Sequence, residues 1–348
     1  MKIGIVGASI SGLIAGQKLA KAGHDVTVIE RMHSLGGKFA TRELDGLQLD
    51  YGISYFAAES KTFRDYLEEL NQKGAVKKWA EEFNFYNGSV LKSSNPHSSP
   101  QTYFTGSRGM QSIVKNLSRW VDVISEISAG GVTYIGADRS KKRPWMINLS
   151  DFSVFECDAV IIAAPAVEAY GLLQTGQDET AIRRIIRTVD EVEYNGCISL
   201  AATFDQPIPD WKGIECKNSS LQWIGNESSK QGGSEKTGLL IQSTADFYQE
   251  HAELDDKTLK QLLLEEAAKV VDSWILKPQS TYLHRWKYFE ARNPINEYFM
   301  ELEMDDAPFV LIGDYLGGNS VENAFLSGYN LAEYWINKYS NAALTAVE

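Results

Sequence analysis

The chain has 348 residues, 43% of them hydrophobic and 23% charged, and a formal net charge of -12. That length exceeds what one hydrophobic core fills and suits two interwoven domains. The acidic balance excludes a general nucleic-acid binder, which needs clustered Lys and Arg to displace phosphate counterions. The longest apolar runs, 159–164 and 308–312, fall far below the roughly 18–20 residues of a bilayer span, so no membrane partner is expected.

Three cysteines, Cys157, Cys197 and Cys216, are widely spaced and odd in number. They suit neither a disulfide framework nor a metal site, so the expectation is no metal and a reducing, cytoplasmic setting. The apolar start after Met1-Lys2 has the look of a secretory signal, but Gly and Ser interrupt it and strand followed by helix is the better reading.

In chain order, residues 2–6 form a short apolar run ending in glycine, which suits a strand buried on both faces. A helix is expected over 10–21, stopped by Gly23, and a second buried strand over 25–30. Strand, glycine turn, helix and strand within thirty residues make a βαβ unit with parallel strands. Residues 61–74 read as an amphipathic helix, and 83–103, rich in Ser, Asn and Pro, as loop with short strands. Residues 158–165 supply a later strand of the parallel sheet. Strand-like runs at 191–204, 221–224, 237–243 and 280–286, with a helix over 255–272, predict an antiparallel sheet with helices. A strand over 308–312 and a long helix over 321–339 close the chain. The domains expected are 1–55, 104–175 and 300–348 for nucleotide binding, and 56–103 and 176–299 for substrate.

Gly7-Ala8-Ser9-Ile10-Ser11-Gly12 nearly spells the dinucleotide fingerprint G-x-G-x-x-G. Gly7 permits the tight bend, Gly12 lets the helix pack on the strand, and the helix N-terminus faces phosphate; Glu30 stands where ribose hydroxyls are accepted. A protein whose glycines serve packing alone is the competing reading. Downstream, Arg31, Gly36-Gly37-Lys38 and Ala40-Thr41-Arg42 form a second glycine turn with cations beside it. That second grip suits a long, permanently held FAD rather than NAD. Gly313-Asp314 after the late strand offers a carboxylate to a ribityl hydroxyl. The helix start at Val321, Glu322, Asn323 and Ala324 can aim N–H groups at the flavin pyrimidine edge.

These motifs, with Leu49-Asp50-Tyr51-Gly52, Tyr55-Phe56, Gly109-Met110, Ala164-Pro165, Trp223, Asn226, Ser228-Ser229-Lys230, Ser243-Thr244-Ala245-Asp246, His284-Arg285-Trp286 and Ala324-Phe325-Leu326-Ser327-Gly328, resemble the bacterial branch of the renalase family, within the flavin amine oxidase superfamily. The resemblance covers essentially the whole chain. It implies an α/β (α+β insert) fold: a Rossmann-type FAD-binding domain of p-hydroxybenzoate-hydroxylase-like topology with an interwoven antiparallel-sheet substrate domain, and noncovalent FAD. It also implies hydride transfer from a small reduced substrate, a dihydro-NAD(P) isomer, to flavin N5, with reoxidation by O2 to H2O2. A dihydropyridine gains aromaticity when it loses hydride, so positioning rather than a strong base is the main requirement.

Five positions depart from the family pattern: Ser9 for the middle glycine, Lys38 for arginine, Ile53-Ser54 for Ala-Gln, and Asn323 for glycine. The first two conserve size or charge, whereas the others bear on the substrate. His284, Arg285, Trp286 and Trp223 are the substrate-site candidates, Arg for an anionic group and Trp for a flat ring. The alternative is strand alternation, with Trp286 in the core and Arg285 in a surface pair. Lys230 is open to the same two readings, as a site residue or a solvated loop lysine, and Cys197 reads as a small core residue. Other functions compatible with the sequence are a flavin amine oxidase or desaturase on another substrate, and a non-catalytic FAD-binding redox sensor.

Overall fold

A computed structural model describes residues 1–136, 143–173, 179–232, 235–302 and 307–345. The chain forms two compact units, Met1–Gly37 with Val114–Glu193 and Ala291–Glu348, and Lys38–Ile113 with Tyr194–Glu290.

The first unit is built on a six-stranded sheet in the order Met300–Leu302, Phe309–Leu311, Ala159–Ile162, Lys2–Val6, Asp25–Ile29, Asp122–Ile124. The five inner and far strands pair in parallel, and Met300–Leu302 joins antiparallel at one edge. Ala159–Ile162 is buried at every position, as a parallel strand covered on both faces requires. Helix Ile10–Lys21 packs along helix Val321–Thr345. A three-stranded antiparallel sheet, Ala129–Tyr134, Trp145–Leu149 and Val154–Cys157, presses Ile147, Phe155 and Cys157 against Gly4.

The second unit holds a seven-stranded sheet in the order Ser280–Ala291, Tyr194–Phe204, Thr237–Ser243, Leu221–Asn226, Gly213–Cys216, Asn84–Tyr86, Leu91–Lys92. Its resolved pairings are antiparallel except Gly213–Cys216 with Asn84–Tyr86, which is parallel. Strand alternation gives the sheet two distinct faces. Ile198, Leu200, Ala202, Leu239 and Ile241 meet Leu259, Leu263 and Ala267 of helix Asp256–Val270 in one core. The opposite face carries Ala201, Trp223 and Leu240 and is covered by residues 44–57.

The unit borders differ from the sequence expectation. They fall at 37/38, 113/114, 193/194 and 290/291 rather than at 55/56, 103/104 and 299/300; the border expected at 175/176 lies outside the described residues. The hairpin Thr41–Leu44 and Leu47–Asp50 belongs to the second unit because Leu47 and Leu49 pack on Ala201. Helix Glu179–Asp190 stays with the first, packed on helix Ala166–Leu173. Among the described residues no helix is long and apolar enough to cross a membrane.

Candidate functional site

In the first unit, Gly7 bends the chain at φ +101°, a conformation that costs glycine little. Gly12 lies so close to that bend that a Cβ would come within 2.4 Å of the Gly7 carbonyl oxygen. Ser9 is the N-cap of helix Ile10–Lys21, extended at φ -67°, so this position needs no glycine. Its hydroxyl donates to the Ala163 carbonyl at 2.9 Å and accepts from the Gly12 N–H. The Ile10 and Ser11 N–H groups lie in the helix's first turn, where no intrahelical acceptor exists.

Glu30 follows strand Asp25–Ile29, 9% exposed, and accepts from the Ala8 and Met32 N–H groups, each at 2.9 Å. Each carboxylate oxygen retains a lone pair for a ribose hydroxyl. The Gly36 N–H donates to the Ala8 carbonyl at 2.8 Å, bringing the second glycine turn beside the first. Gly37, at φ +54°, faces open space. Farther along, the Tyr315 ring lies over Gly313, and its buried hydroxyl has no partner among the described residues. A helix end with free N–H groups, a carboxylate with spare lone pairs, an open glycine and an unpaired buried hydroxyl beside Gly313-Asp314 fit FAD.

Other residues expected at the cofactor have partners within the protein. Arg31 is paired with Glu168 at 2.8 Å. The Asn323 side chain ties down the turn before helix Val321–Thr345, donating to the Gly317 carbonyl at 2.7 Å and accepting from Ser320 Oγ at 2.6 Å. Its N–H, and that of Ala324, go to Ser320. Both residues therefore shape the helix end.

The remaining expected cofactor contacts, Lys38, Thr41 and Arg42, belong to the second unit. Lys38 Nζ donates to the Phe289 carbonyl at 2.6 Å, Thr41 Oγ1 to Asp50 Oδ1 at 2.5 Å, and Arg42 lies over the Tyr282 ring at 4.1 Å. Tyr282, His284 and Trp286 project from one face of strand Ser280–Ala291 and meet Tyr51. Tyr51 stacks on Trp286 (5.6 Å, 22°) and meets Tyr282 edge-on at 5.0 Å. His284 touches Trp286 at 4.2 Å between ring centres. The result is a continuous wall of half-buried rings. Burial holds His284 below the usual imidazole range, keeping it neutral, and with neighbouring Tyr282 pushes the Tyr51 hydroxyl up to about 12.

Arg285 does not join this wall. It points to the helical face, where its guanidinium donates to the Ala252 and Leu254 carbonyls and pairs with Asp256 at 2.7 Å. Trp223 sits in a separate aromatic cluster with Tyr55, Trp79 and Phe83. It is 5% exposed, with an indole N–H that has no partner among the described residues.

Lys230 is not a solvated loop lysine. It is 2% exposed and donates to Asp50 Oδ2 at 3.0 Å, Glu227 Oε2 at 2.7 Å and the Ser54 carbonyl at 2.7 Å. Ser54, expected to bear on the substrate, instead donates its hydroxyl to Glu227 Oε1 at 2.6 Å. Asp50 Oδ1 also accepts the Met110 N–H at 2.8 Å. Burial pushes Glu227 up to about 7, against the pull of Lys230. Two carboxylates and one ammonium thus share a dry site. Sequence reasoning missed Asp50 and Glu227; the i,i+3 pair Glu227–Lys230 was visible, but nothing local signalled its burial.

Residues 5–70 match the NAD(P)-binding Rossmann-like domain family and residues 81–335 the flavin containing amine oxidoreductases. Among solved structures, the fold is shared with putrescine oxidase bound to putrescine (TM-score 0.72, 14% identity, 97% of this chain and 99% of that one). It is shared also with cyclohexylamine oxidase from Brevibacterium oxydans IH-35A (0.73, 10%, 97% and 99%). An oxidoreductase from Methanosarcina mazei is similar again (0.71, 14%, 96% and 100%). A stretch of 78 residues is 33% identical to 4,4'-diapophytoene desaturase of Staphylococcus aureus (strain Newman), covering 20% of this chain and only 16% of that enzyme. With a family match over most of its length and a nucleotide cradle that fits, the chain belongs to the flavin containing amine oxidoreductases and is an FAD-dependent oxidoreductase.

Proposed function

We propose that the protein is an oxidoreductase of renalase type: it takes a hydride from a dihydropyridine isomer of NAD(P) and, with one proton, passes both electrons to O2, giving NAD(P)+ and H2O2. The observation that carries this reading is the ring wall of Tyr51, Tyr282, His284 and Trp286. Stacked aromatic faces suit a flat heterocycle, and such pairs add about 0.5–1.5 kcal/mol each beyond area burial. Arg42, on the Tyr282 face, supplies a cation at the wall's edge for a phosphate-bearing donor. Neutral His284 leaves the wall without a charge, and none is required, because aromatisation of the donor drives hydride loss. Bound FAD supplies the hydride acceptor at its N5. Hydride transfer then depends on how the wall orients the donor carbon.

A cytoplasmic setting is part of the proposal: Cys157, Cys197 and Cys216 are unpaired and buried, their thiols pushed up to about 12 by desolvation. Turnover under air tests the reaction. Dihydro isomers of NAD(P) are expected to yield NAD(P)+ and H2O2 in equal amounts, while primary amines and polyenes yield neither. H2O2 formed from an amine with release of an aldehyde, or desaturation of a polyene, would replace the donor assignment. No turnover with any donor, in protein that holds FAD, would favour a redox sensor.

A further inference from the structure

The five residues 50–54 carry Tyr51, the ring at the centre of the wall, and the same two buried side chains hold both ends of this segment. At the first end, Glu227 Oε2 accepts the Asp50 N–H at 3.2 Å and Lys230 Nζ meets Asp50 Oδ2 at 3.0 Å. At the other end, Glu227 Oε1 accepts the Ser54 hydroxyl at 2.6 Å, and Lys230 Nζ donates to the Ser54 carbonyl and hydroxyl at 2.7 and 2.9 Å. Between the ends the segment is held by neutral contacts. The Tyr51 N–H goes to the Ala40 carbonyl, Trp286 Nε1 to the Tyr51 carbonyl, Gln242 Nε2 to the Gly52 carbonyl, and the Ile53 N–H to the Lys38 carbonyl.

We propose that Glu227 and Lys230 are positioning residues for the ring wall: gripping both ends of segment 50–54, they fix where the Tyr51 ring stands against Tyr282 and Trp286. This rests on the reading of that wall as the substrate surface. The Lys230 ammonium gives charge-assisted bonds to Asp50 and Ser54, which inside a buried site are stronger than neutral ones, so this double grip outweighs the neutral contacts between.

The grip depends on charge. The charged groups facing Glu227 are Lys230 from its own turn and Asp50 from strand Leu47–Asp50; Lys77, from strand Val76–Ala80, stands one bond farther out on the Lys230 carbonyl. With a proton on Glu227 the cluster is neutral. Without it, one uncompensated negative charge remains buried. Because burial raises Glu227 to about 7, the folded state favours the protonated form, and the grip weakens as pH rises through that value. Glu227→Gln imitates the protonated group at every pH.

Hydrogen–deuterium exchange of the FAD-bound protein reads this directly. After correction for intrinsic exchange, amides of 50–54 are expected to lose roughly tenfold protection between about pH 6 and about pH 8.5, the loss levelling off above about 7, where Glu227 is ionised in the closed and the opened segment alike. Glu227→Gln should lose none, and strand Lys2–Val6 should stay protected in both. Ser54→Ala, which removes the hydroxyl's bonds to Glu227 and Lys230, should speed exchange of 50–54 at every pH. Identical pH responses in wild type and Glu227→Gln, or a loss of protection spread evenly over the chain, would overturn the proposal, as would unchanged exchange in Ser54→Ala.

Anaerobic flavin reduction by a dihydro isomer of NAD should show the donor concentration for half-maximal rate rising over the same pH interval in wild type only, with the limiting rate little changed. If exchange at 50–54 responds as expected and donor dependence does not follow, the positioning of Tyr51 stands and the wall is not the substrate surface.

Discussion

Lys230→Met is expected to lower the free energy of unfolding by about 3–5 kcal/mol near neutral pH, because it leaves Asp50 and Glu227 buried together without their counter-charge. Both carboxylates are fully shielded from water, so solvent cannot substitute for the lost ammonium, and the methionine fills the volume without accepting or donating. The effect should depend on pH in a defined direction. Burial already raises Glu227 to about 7, and removing Lys230, which pulls the other way, raises it further. The variant therefore keeps its proton on Glu227 to higher pH, and its deficit should shrink as pH falls and this carboxyl neutralises. Denaturant titration at about pH 6 and about pH 8 checks this; a change in midpoint with unchanged slope marks a stability effect. A loss below about 1 kcal/mol, equal at both pH values, would mean that the lysine behaves as an exposed one.

Gly328→Ala is the second substitution with a large expected effect. Helix Val321–Thr345 crosses helix Ile10–Lys21 at this glycine, and an added Cβ would stand 2.1 Å from the Ser11 carbonyl oxygen and 2.9 Å from its carbonyl carbon. Backbone cannot swing aside as a flexible side chain can, so the helices must separate. Overpacking of this kind costs about 1–3 kcal/mol. The consequence for function is larger than that figure suggests, because Ser11 lies in the first turn of the helix proposed to address the FAD pyrophosphate. The expected result is weaker FAD retention, read as FAD lost on gel filtration or as a higher Kd in reconstitution of the apoprotein. Gly171→Ala is the matched control: nothing lies within 4 Å of its Cβ, and the change should be neutral or stabilising by up to about 1 kcal/mol. Equal FAD retention in both variants would contradict the helix-crossing argument.

Much of the first unit was legible in the sequence because its signals are local. Lys2–Val6, Ile10–Lys21, Asp25–Ile29 and Ala159–Ile162 lie where apolar runs and turn glycines put them. The three-stranded sheet Ala129–Tyr134, Trp145–Leu149, Val154–Cys157 escaped notice, since Gly130, Gly131 and polar residues interrupt its alternation and its burial is set by contact with Gly4. At the site, period-2 alternation was the decisive consideration. His284 and Trp286 share a face and Arg285 must point the other way, yet only the turn at 252–255 and the start of helix Asp256–Val270 show that its partners lie there.

Ser9 illustrates a different limit. The fingerprint calls for glycine at that position, but a serine N-cap performs the local task with an extended backbone. The buried Asp50–Glu227–Lys230 cluster was out of reach for a stronger reason. Its members come from residues 50 and 227–230, and their burial is a property of tertiary contact rather than of either segment. Charged residues are almost never fully buried unless paired, so composition argues against such a cluster until the pairing is seen.

A dihydropyridine is the proposed reductant of this protein's FAD. Anaerobic titration of the purified yellow protein tests it most directly, with loss of the oxidised-flavin band as the readout. Dihydro isomers of NAD(P) are expected to bleach the flavin at one equivalent per FAD and leave NAD(P)+, while amines and polyenes leave it oxidised. Flavin that stays yellow with every dihydro isomer and is bleached by an amine would contradict it.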